Sequence, residues 1–375
     1  MINSNFYTQI EKKSLSGEIL SPDECDVILN SPKVQILELL QSAYKLRFKY
    51  WQNDVTIHII NNVQNGSCSE DCHYCAQSKS SSAEIEKYSM KSDEEILKEA
   101  EQAYKAGAFR YCMVFSGRCQ PESRIQSLVK IIQEIKSKFP IEVCVSPGFI
   151  TQKEAEILKD AGLNRLNHNI NSSSEHYKNI CTTHSFEKRI ETLNAAQSAG
   201  LDICSGVIIG MGETTQDIID AALTLRSFEN VKSIPVNFLL PIEGNVLTKA
   251  NELTPRLCLR ILCLYRFLNP KVELRIAAGR EYHLRDLQAF GLYPANSIFM
   301  DGYLNAKGLS RRKTLQMIKD AGFKIKSDKS LDELIKKEEQ CDSQMDLESE
   351  KVVIKKHVDL HPSFSKINLE DKNEC

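Results

Sequence analysis

Three amphipathic stretches in this chain stop at the dipeptide Ala-Gly, at 106–107, 161–162 and 199–200, and a β-branched run follows each stop within a few residues. Glycine adopts the left-handed conformation that ends a helix at little steric cost. The repeating unit is therefore helix, glycine stop, strand. Apolar residues at three- and four-residue spacing place helices over 93–106, 124–138, 152–161, 186–199 and 215–228. Between and around them lie eight strand candidates, at 55–60, 109–115, 141–146, 165–170, 201–209, 233–240, 272–278 and 296–300. Eight parallel βα units imply a closed barrel. The expected fold is thus α/β, a TIM-type (β/α)8 barrel over 53–315. An N-terminal helical extension, 1–52, contains a helix over 34–50 that covers one barrel end. Residues 316–375 read as a C-terminal helix and a charged, mostly disordered or loosely helical tail in which Phe364 stands isolated.

Forty-eight Lys and Arg against fifty Asp and Glu leave a formal charge of -2. That balance gives no global electrostatic case for nucleic acid or an anionic membrane. The opening residues carry glutamates and lack an apolar signal core, and no run of ~18 uncharged apolar residues occurs. The chain reads as cytosolic, so its thirteen cysteines are expected to bind metal, catalyse or pack rather than form disulfides.

Cys68, Cys72 and Cys75 set three thiols at a CxxxCxxC spacing in the loop after the first strand, where barrel enzymes keep their active sites. A zinc site wants four ligands, usually as two close pairs, and His73 does not supply the second pair. Three cysteines suit a four-iron cluster with one iron left for another molecule. A second set, Cys112, Cys144 and Cys204, falls mid-strand on strands two, three and five. Each alone is as easily a small core residue. Arg275 is a cation inside an apolar strand and needs a buried partner.

The triplet, with Gly206-Val-Ile208-Ile-Gly210-Met-Gly-Glu213, resembles the radical S-adenosylmethionine superfamily. The resemblance narrows to the biotin synthase family through Asn167-His-Asn169-Ile-Asn171, Thr182-Thr-His-Ser-Phe-Glu-Lys-Arg189, Ile234-Pro-Val-Asn237 and Ala278-Gly-Arg-Glu281, and spans about residues 50–310. It implies a radical sulfur-inserting transferase that turns dethiobiotin into biotin. Cys68, Cys72 and Cys75 would hold a 4Fe-4S cluster whose open iron takes S-adenosylmethionine. Cys112, Cys144, Cys204 and Arg275 would hold a 2Fe-2S sulfur donor. Tyr74, Asn169, Asn171, Gly206, Ile208, Gly210 and Glu213 would contact the cofactor. Asn167, Asn169 and Asn237 would line the space between the clusters, and Arg110 would position Arg275. A homodimer and a small flavin or iron-sulfur electron donor are also implied.

Two departures bear on substrate. The family's ribose-binding aspartate is Asn171 here, and its Gly-Thr-Pro is Gly244-Asn245-Val246. The alternatives are a radical enzyme of the same barrel acting on another small substrate, and an iron-sulfur carrier without turnover. Cys25, Cys119, Cys181, Cys258, Cys263, Cys341 and Cys375 match no ligand position and read as packing or solvent thiols.

Overall fold

The computed structural model describes residues 2, 4–251, 253–339 and 353–361. Its strands are β1 (Asp54–Asn62), β2 (Arg110–Val114), β3 (Glu142–Ser146), β4 (Arg165–Asn167), β5 (Ile203–Cys204), β6 (Val207–Ile209), β7 (Val231–Phe238), β8 (Glu273–Ile276), β9 (Ser297–Met300) and β10 (Lys324–Ile325). All the ladders among them are parallel, and β1 pairs with both β2 and β9, which closes the ring. The fifth of its eight staves is β5 continued by β6, the two broken at Ser205-Gly206. A Cβ on Gly206 would lie 1.9 Å from the Pro235 carbonyl oxygen, so only glycine lets β7 pass this close. That break splits the single strand expected over 201–209.

Helices α1 (Ser4–Ser16), α2 (Pro22–Asn30) and α3 (Ile36–Trp51) precede the ring. The outer layer contains α4 (Asp93–Lys105), α5 (Glu122–Lys138), α6 (Gln152–Asp160), α7 (Ser174–Tyr177), α8 (Phe186–Ser198), α9 (Thr215–Arg226) and α10 (Pro255–Leu268). Gly107, Gly162 and Gly200 all have positive φ, as the Ala-Gly stops require. Helix α10 is buried along nearly its whole length, because α1–α3 pack on its outer side. Arg47 of α3 donates to the Ala295 and Asp54 carbonyl oxygens at 3.0 and 2.9 Å, fastening the extension to the strand starts.

Helix α11 (Arg280–Leu284) and a 3-10 turn (Arg285–Leu292) lead into β9. After the ring come α12 (Arg311–Asp320), β10, α13 (Leu331–Glu339) and α14 (His357–Leu360). Strand β10 pairs with the outer end of β1, and residues 353–361 return to the barrel, where Ile354 bridges Ala306. The charged tail thus contains two structured pieces. Phe364, Cys341 and Cys375 lie outside the described residues.

The floor of the ring is ionic. Glu273 opens β8 and is 1% exposed. Its carboxylate accepts from Arg110 at 3.2 Å, Arg165 at 3.0 Å and Arg275 at 2.5 Å, and lies 3.1 Å from His58 Nε2. Arg110 also donates to Glu142 at 2.9 Å. Burial alone would raise the Glu273 pKa, but Arg110 and Arg165 hold it well below the usual carboxylate range. Burial, then Arg275, keeps His58 neutral. Three guanidiniums therefore face two carboxylates, and one positive charge is left over for whatever lies above.

Removing Glu273 strands those cations in a dry interior. Glu273→Ala is expected to cost about 3–5 kcal/mol of unfolding free energy at pH 7, read by chemical denaturation. Because the folded pKa is depressed, this contribution is complete above the unfolded value of about 4.3 and fades as pH falls toward the folded one. The gap between parent and variant should be flat from pH 5 to 8 and narrow only below about pH 4. A gap under about 1 kcal/mol at pH 7 would mean that the arginines find other partners.

Candidate active site: two cysteine cages around one cavity

The loop between β1 and α4 carries the triplet. Backbone bonds fold it: Cys68 N–H donates to Gln77 O at 3.2 Å, Cys75 N–H to Cys72 O at 3.1 Å and Ser78 N–H to Cys75 O at 3.1 Å. Two carboxylates pin the loop to residues 182–184. Asp71 accepts from the Thr182 and Thr183 amides at 2.9 and 3.1 Å, and Glu70 pairs with His184 and with Arg118 at 3.3 Å. Burial works against it, yet the bonds from Thr182 hold the Asp71 carboxyl well below its usual range. Burial pushes the Cys75 thiol up to about 11, so metal must displace a proton there.

Cys68, Cys72, Cys75, Tyr74, Asn167, Asn169, Asn171, Ile208 and Asn237 line one cavity of about 260 Å3 at the strand ends. The amides are held by backbone. Asn237 donates to Val207 O at 2.8 Å and accepts from Ala278 N–H at 3.1 Å, while Asn169 accepts from Gly206 N–H at 3.0 Å. Each amide still has donor or acceptor capacity for a ligand. Asn171 sits at φ +67°, a left-handed position that asparagine and aspartate tolerate better than most residues, and its amide donates to the Tyr74 hydroxyl at 2.6 Å.

Below the cavity, Cys112, Cys144 and Cys204 form a separate buried cluster with Ala277 and Phe299. Cys112 and Cys144 are register partners across β2 and β3. Arg275 donates to Cys204 Sγ at 3.6 Å and is fixed by Ser297 at 3.0 Å and Ser233 at 3.1 Å. Ser233 and Asn167 donate to the same sulfur at 3.2 and 3.4 Å. Hydrogen bonding from Cys144, assisted by Arg275 against the cost of burial, lowers the pKa of Cys112 and Cys204, while the Cys144 thiol is pushed up. Three sulfurs and a guanidinium that brings the floor's one surplus positive charge, all in one buried cluster, fit an anionic sulfide-bearing cluster.

Not every residue assigned from the sequence reaches these cages. Gly206, Gly210 and Glu213 do not line the cavity. Gly206 makes room for β7, and Glu213 accepts from the Gly210 and Met211 amides at 2.6 and 2.7 Å, shaping the turn that carries Ile208. Arg110 stays in the floor and reaches Arg275 through Glu273 and through His58, which lies 3.3 Å from both guanidiniums. Asn245 is also outside the cavity lining. It braces the cluster loop by donating to Tyr74 O at 3.1 Å and accepting from Ser81 at 2.8 Å.

Four participants were not read from the sequence. Glu273, Arg165 and His58 build the floor, and Arg189 lines the cavity while donating to Asn169 O at 2.9 Å. For two of them the signal was strand parity, since Glu273 precedes Arg275, and Arg165 precedes Asn167, by two residues. Cys181, set aside as packing, has its sulfur 3.8 Å from Cys72 Sγ.

Residues 64–225 match the radical SAM superfamily, and residues 235–324 match the biotin and thiamin synthesis associated domain. The chain is 52% identical to the biotin synthase of Magnetococcus marinus over 83% of its own length and 96% of that protein. It is 52% identical to that of Acaryochloris marina over 84% and 91%, and 44% to that of Geobacillus kaustophilus over 84% and 95%. Among solved structures, the FeFe-hydrogenase maturase HydG of Carboxydothermus hydrogenoformans superposes with a TM-score of 0.73 at 21% identity, covering 87% of this chain and 80% of that one. Methylornithine synthase gives 0.71 at 19%, covering 84% and 96%. These two likenesses establish the barrel alone. Identity over most of both lengths, with both domains in order, establishes more: the chain belongs to the biotin synthase family of radical S-adenosylmethionine enzymes.

Proposed function

We propose that Cys68, Cys72 and Cys75 hold the 4Fe-4S cluster, that Cys112, Cys144, Cys204 and Arg275 hold the 2Fe-2S cluster, and that dethiobiotin lies between them. When bound, the clusters and S-adenosylmethionine supply the electron, the 5'-deoxyadenosyl radical and the sulfide that convert dethiobiotin to biotin. The observation that carries the placement is Asn167, which lines the cavity and hydrogen-bonds Cys204 Sγ at 3.4 Å. A ligand against Asn167 therefore lies directly above the second cage.

The chain's own work is positioning. Asn167, Asn169 and Asn237 present neutral amides, which both donate and accept, to a neutral ureido ring. Ile208 offers an apolar face to adenine, and Tyr74 with Asn171 forms the wall where the cofactor's nucleoside is expected. Tyr303 lines the cavity and packs on the lower cage, so the two compartments share a wall. Enclosure matters because a primary carbon radical takes hydrogen from any donor within reach, and fixed geometry favours the intended one. Gly244, Asn245 and Val246 do not line the cavity, so the departure there places no side chain against the substrate.

Among the described residues no helix is long and apolar enough to cross a membrane. A cytoplasmic site of action, a homodimer and a small flavin or iron-sulfur reductant complete the reading, supported by the family resemblance.

Mössbauer spectra with iron and sulfide analysis of the anaerobically reconstituted protein test the ligand assignment. The parent is expected to show both cluster types. Cys112→Ala should lose the two-iron signal alone, and Cys68→Ala should lose the four-iron signal and cofactor cleavage. A single four-iron signal in both parent and Cys112→Ala would overturn the sulfur-donor assignment.

Asn171→Asp restores a carboxylate at a backbone position that accepts it. A charge-assisted bond to the ribose is worth roughly 1 kcal/mol more than a neutral one. Binding of S-adenosylmethionine is expected to tighten about fivefold, measured by equilibrium dialysis. Unchanged or weaker binding would confine Asn171 to supporting Tyr74.

A further inference from the structure

Two histidines one turn apart, His357 and His361, converge with Glu86 on the outside of the barrel. They come from the returning tail, beyond residue 324 where the domain matches end. His357 Nδ1 lies 2.7 Å, and His361 Nε2 3.5 Å, from the same Glu86 oxygen, and all three ligand atoms fall within 4.8 Å of one another. Bonds of about 2.0–2.1 Å in a tetrahedral shell put neighbouring ligand atoms roughly 3.3 Å apart. The group stands within a small side-chain shift of that spacing.

Three further observations point to a cation. The other Glu86 oxygen, Oε2, is buried without a hydrogen-bond partner among the described residues. Glu95, fixed in the first turn of α4, contacts His361 Nδ1 at 2.5 Å, which directs Nε2 toward Glu86. A carboxylate holding one imidazole nitrogen while the other faces the site is the arrangement metal sites use to orient a histidine ligand. Finally, two lysines of the surrounding segments are engaged elsewhere. Lys91 pairs with Glu99 at 2.9 Å and Lys307 with Asp359 at 3.0 Å, while Glu86 and Glu95 pair with the two histidines.

We propose that Glu86, His357 and His361 form a zinc site that clamps the C-terminal tail to the barrel. Two imidazoles and a carboxylate suit zinc, with water in the fourth position on the exposed His357 side. The clamp bears on both loops bordering the cavity. On one side the tail continues from Val353, whose carbonyl accepts from Lys307 N–H at 3.0 Å, and Lys355 N–H donates to Asn305 O at 2.7 Å. Asn305 and Ala306 line the cavity. On the other side Tyr88, two residues after Glu86, pairs with Asn65 through backbone bonds of 3.1 and 3.2 Å, three residues before Cys68. Zinc binding would restrain the two loops together.

The test uses the full-length protein with both clusters loaded, freed of loose metal, and given one equivalent of zinc(II) against a chromophoric chelator. The expected result is one zinc per chain with a nitrogen and oxygen shell near about 2.0 Å by X-ray absorption. His357→Asn, at an exposed position that folding tolerates, should abolish that zinc without changing iron or sulfide content. Glu95→Gln should weaken it about 10- to 100-fold. Zinc should also slow tryptic cleavage after Lys355 and Lys356 in the parent and not in His357→Asn. Equal zinc affinity in parent and His357→Asn, a sulfur shell near about 2.3 Å, or no retained zinc would overturn the proposal. In that last case the histidine-carboxylate contacts alone hold the tail.

Discussion

A carboxylate surrounded by three guanidiniums is an expensive arrangement inside a barrel. Each ion gives up hydration worth several kcal/mol even after relaxation, and only dense mutual pairing offsets that. Glu273 supplies the pairing, touching Arg110, Arg165 and Arg275 while His58 closes the remaining side. What the knot achieves is the orientation of Arg275. With its Nη2 committed to Glu273 and its Nε to Ser297, Arg275 has only Nη1 left for Cys204. A lysine has no planar fork to divide among three directions. The surplus positive charge then favours the anionic form of the thiols above, which a neutral floor would not do.

Above the floor the barrel is layered by strand parity. Arg110 and Cys112, Glu142 and Cys144, Arg165 and Asn167, and Glu273 and Arg275 are each two residues apart, so in each pair the later residue points inward one rung higher. The charged rung lies lowest, the thiols next, and the amides of Asn167, Asn169 and Asn237 at the mouth, facing the cluster loop. A carbon radical reacts with S–H and activated C–H bonds, so a wall of amides held by backbone is chemically quiet. Asn167 stands between this mouth and the lower thiols, 3.4 Å from Cys204 Sγ.

This layering explains what the sequence disclosed and what it concealed. Parallel units and their Ala-Gly stops were legible because they rest on local periodicity and a left-handed cap, both properties of a few adjacent residues. The triplet was legible because its spacing is short. The floor was not, because Arg165 and Glu273 come from distant strands and each alone resembles an ordinary strand-end charge. The structural role of Glu213 was concealed for a related reason: a glycine-rich turn with an acid reads as a ligand contact, and only the fold shows the carboxylate accepting from two amides of its own turn. Composition also concealed the two structured tail pieces. Lys- and Glu-rich segments lack core-forming residues of their own, and these two are ordered by surfaces the barrel provides, such as the Leu334 side chain packed over Gly107.

The exchange of an acid for Asn171 shows how such a site absorbs change. At φ +67° the backbone favours glycine, asparagine or aspartate, so few substitutions come without strain. Asparagine keeps the fold, since its N–H and C=O still bond Gly206 O at 3.0 Å and Ile208 N–H at 2.8 Å, continuing the ladder past the end of β4. It also gains a donor that aspartate lacks, and spends it on Tyr74 at 2.6 Å. The lost charge is thereby exchanged for a stiffer wall: Tyr74 is held from the side by Asn171 and through its carbonyl by Asn245, the other departure from the family pattern. Two changes that look unrelated along the chain converge on one tyrosine between Cys72 and Cys75, one at its hydroxyl and one at its carbonyl, and together they brace the loop that carries the triplet.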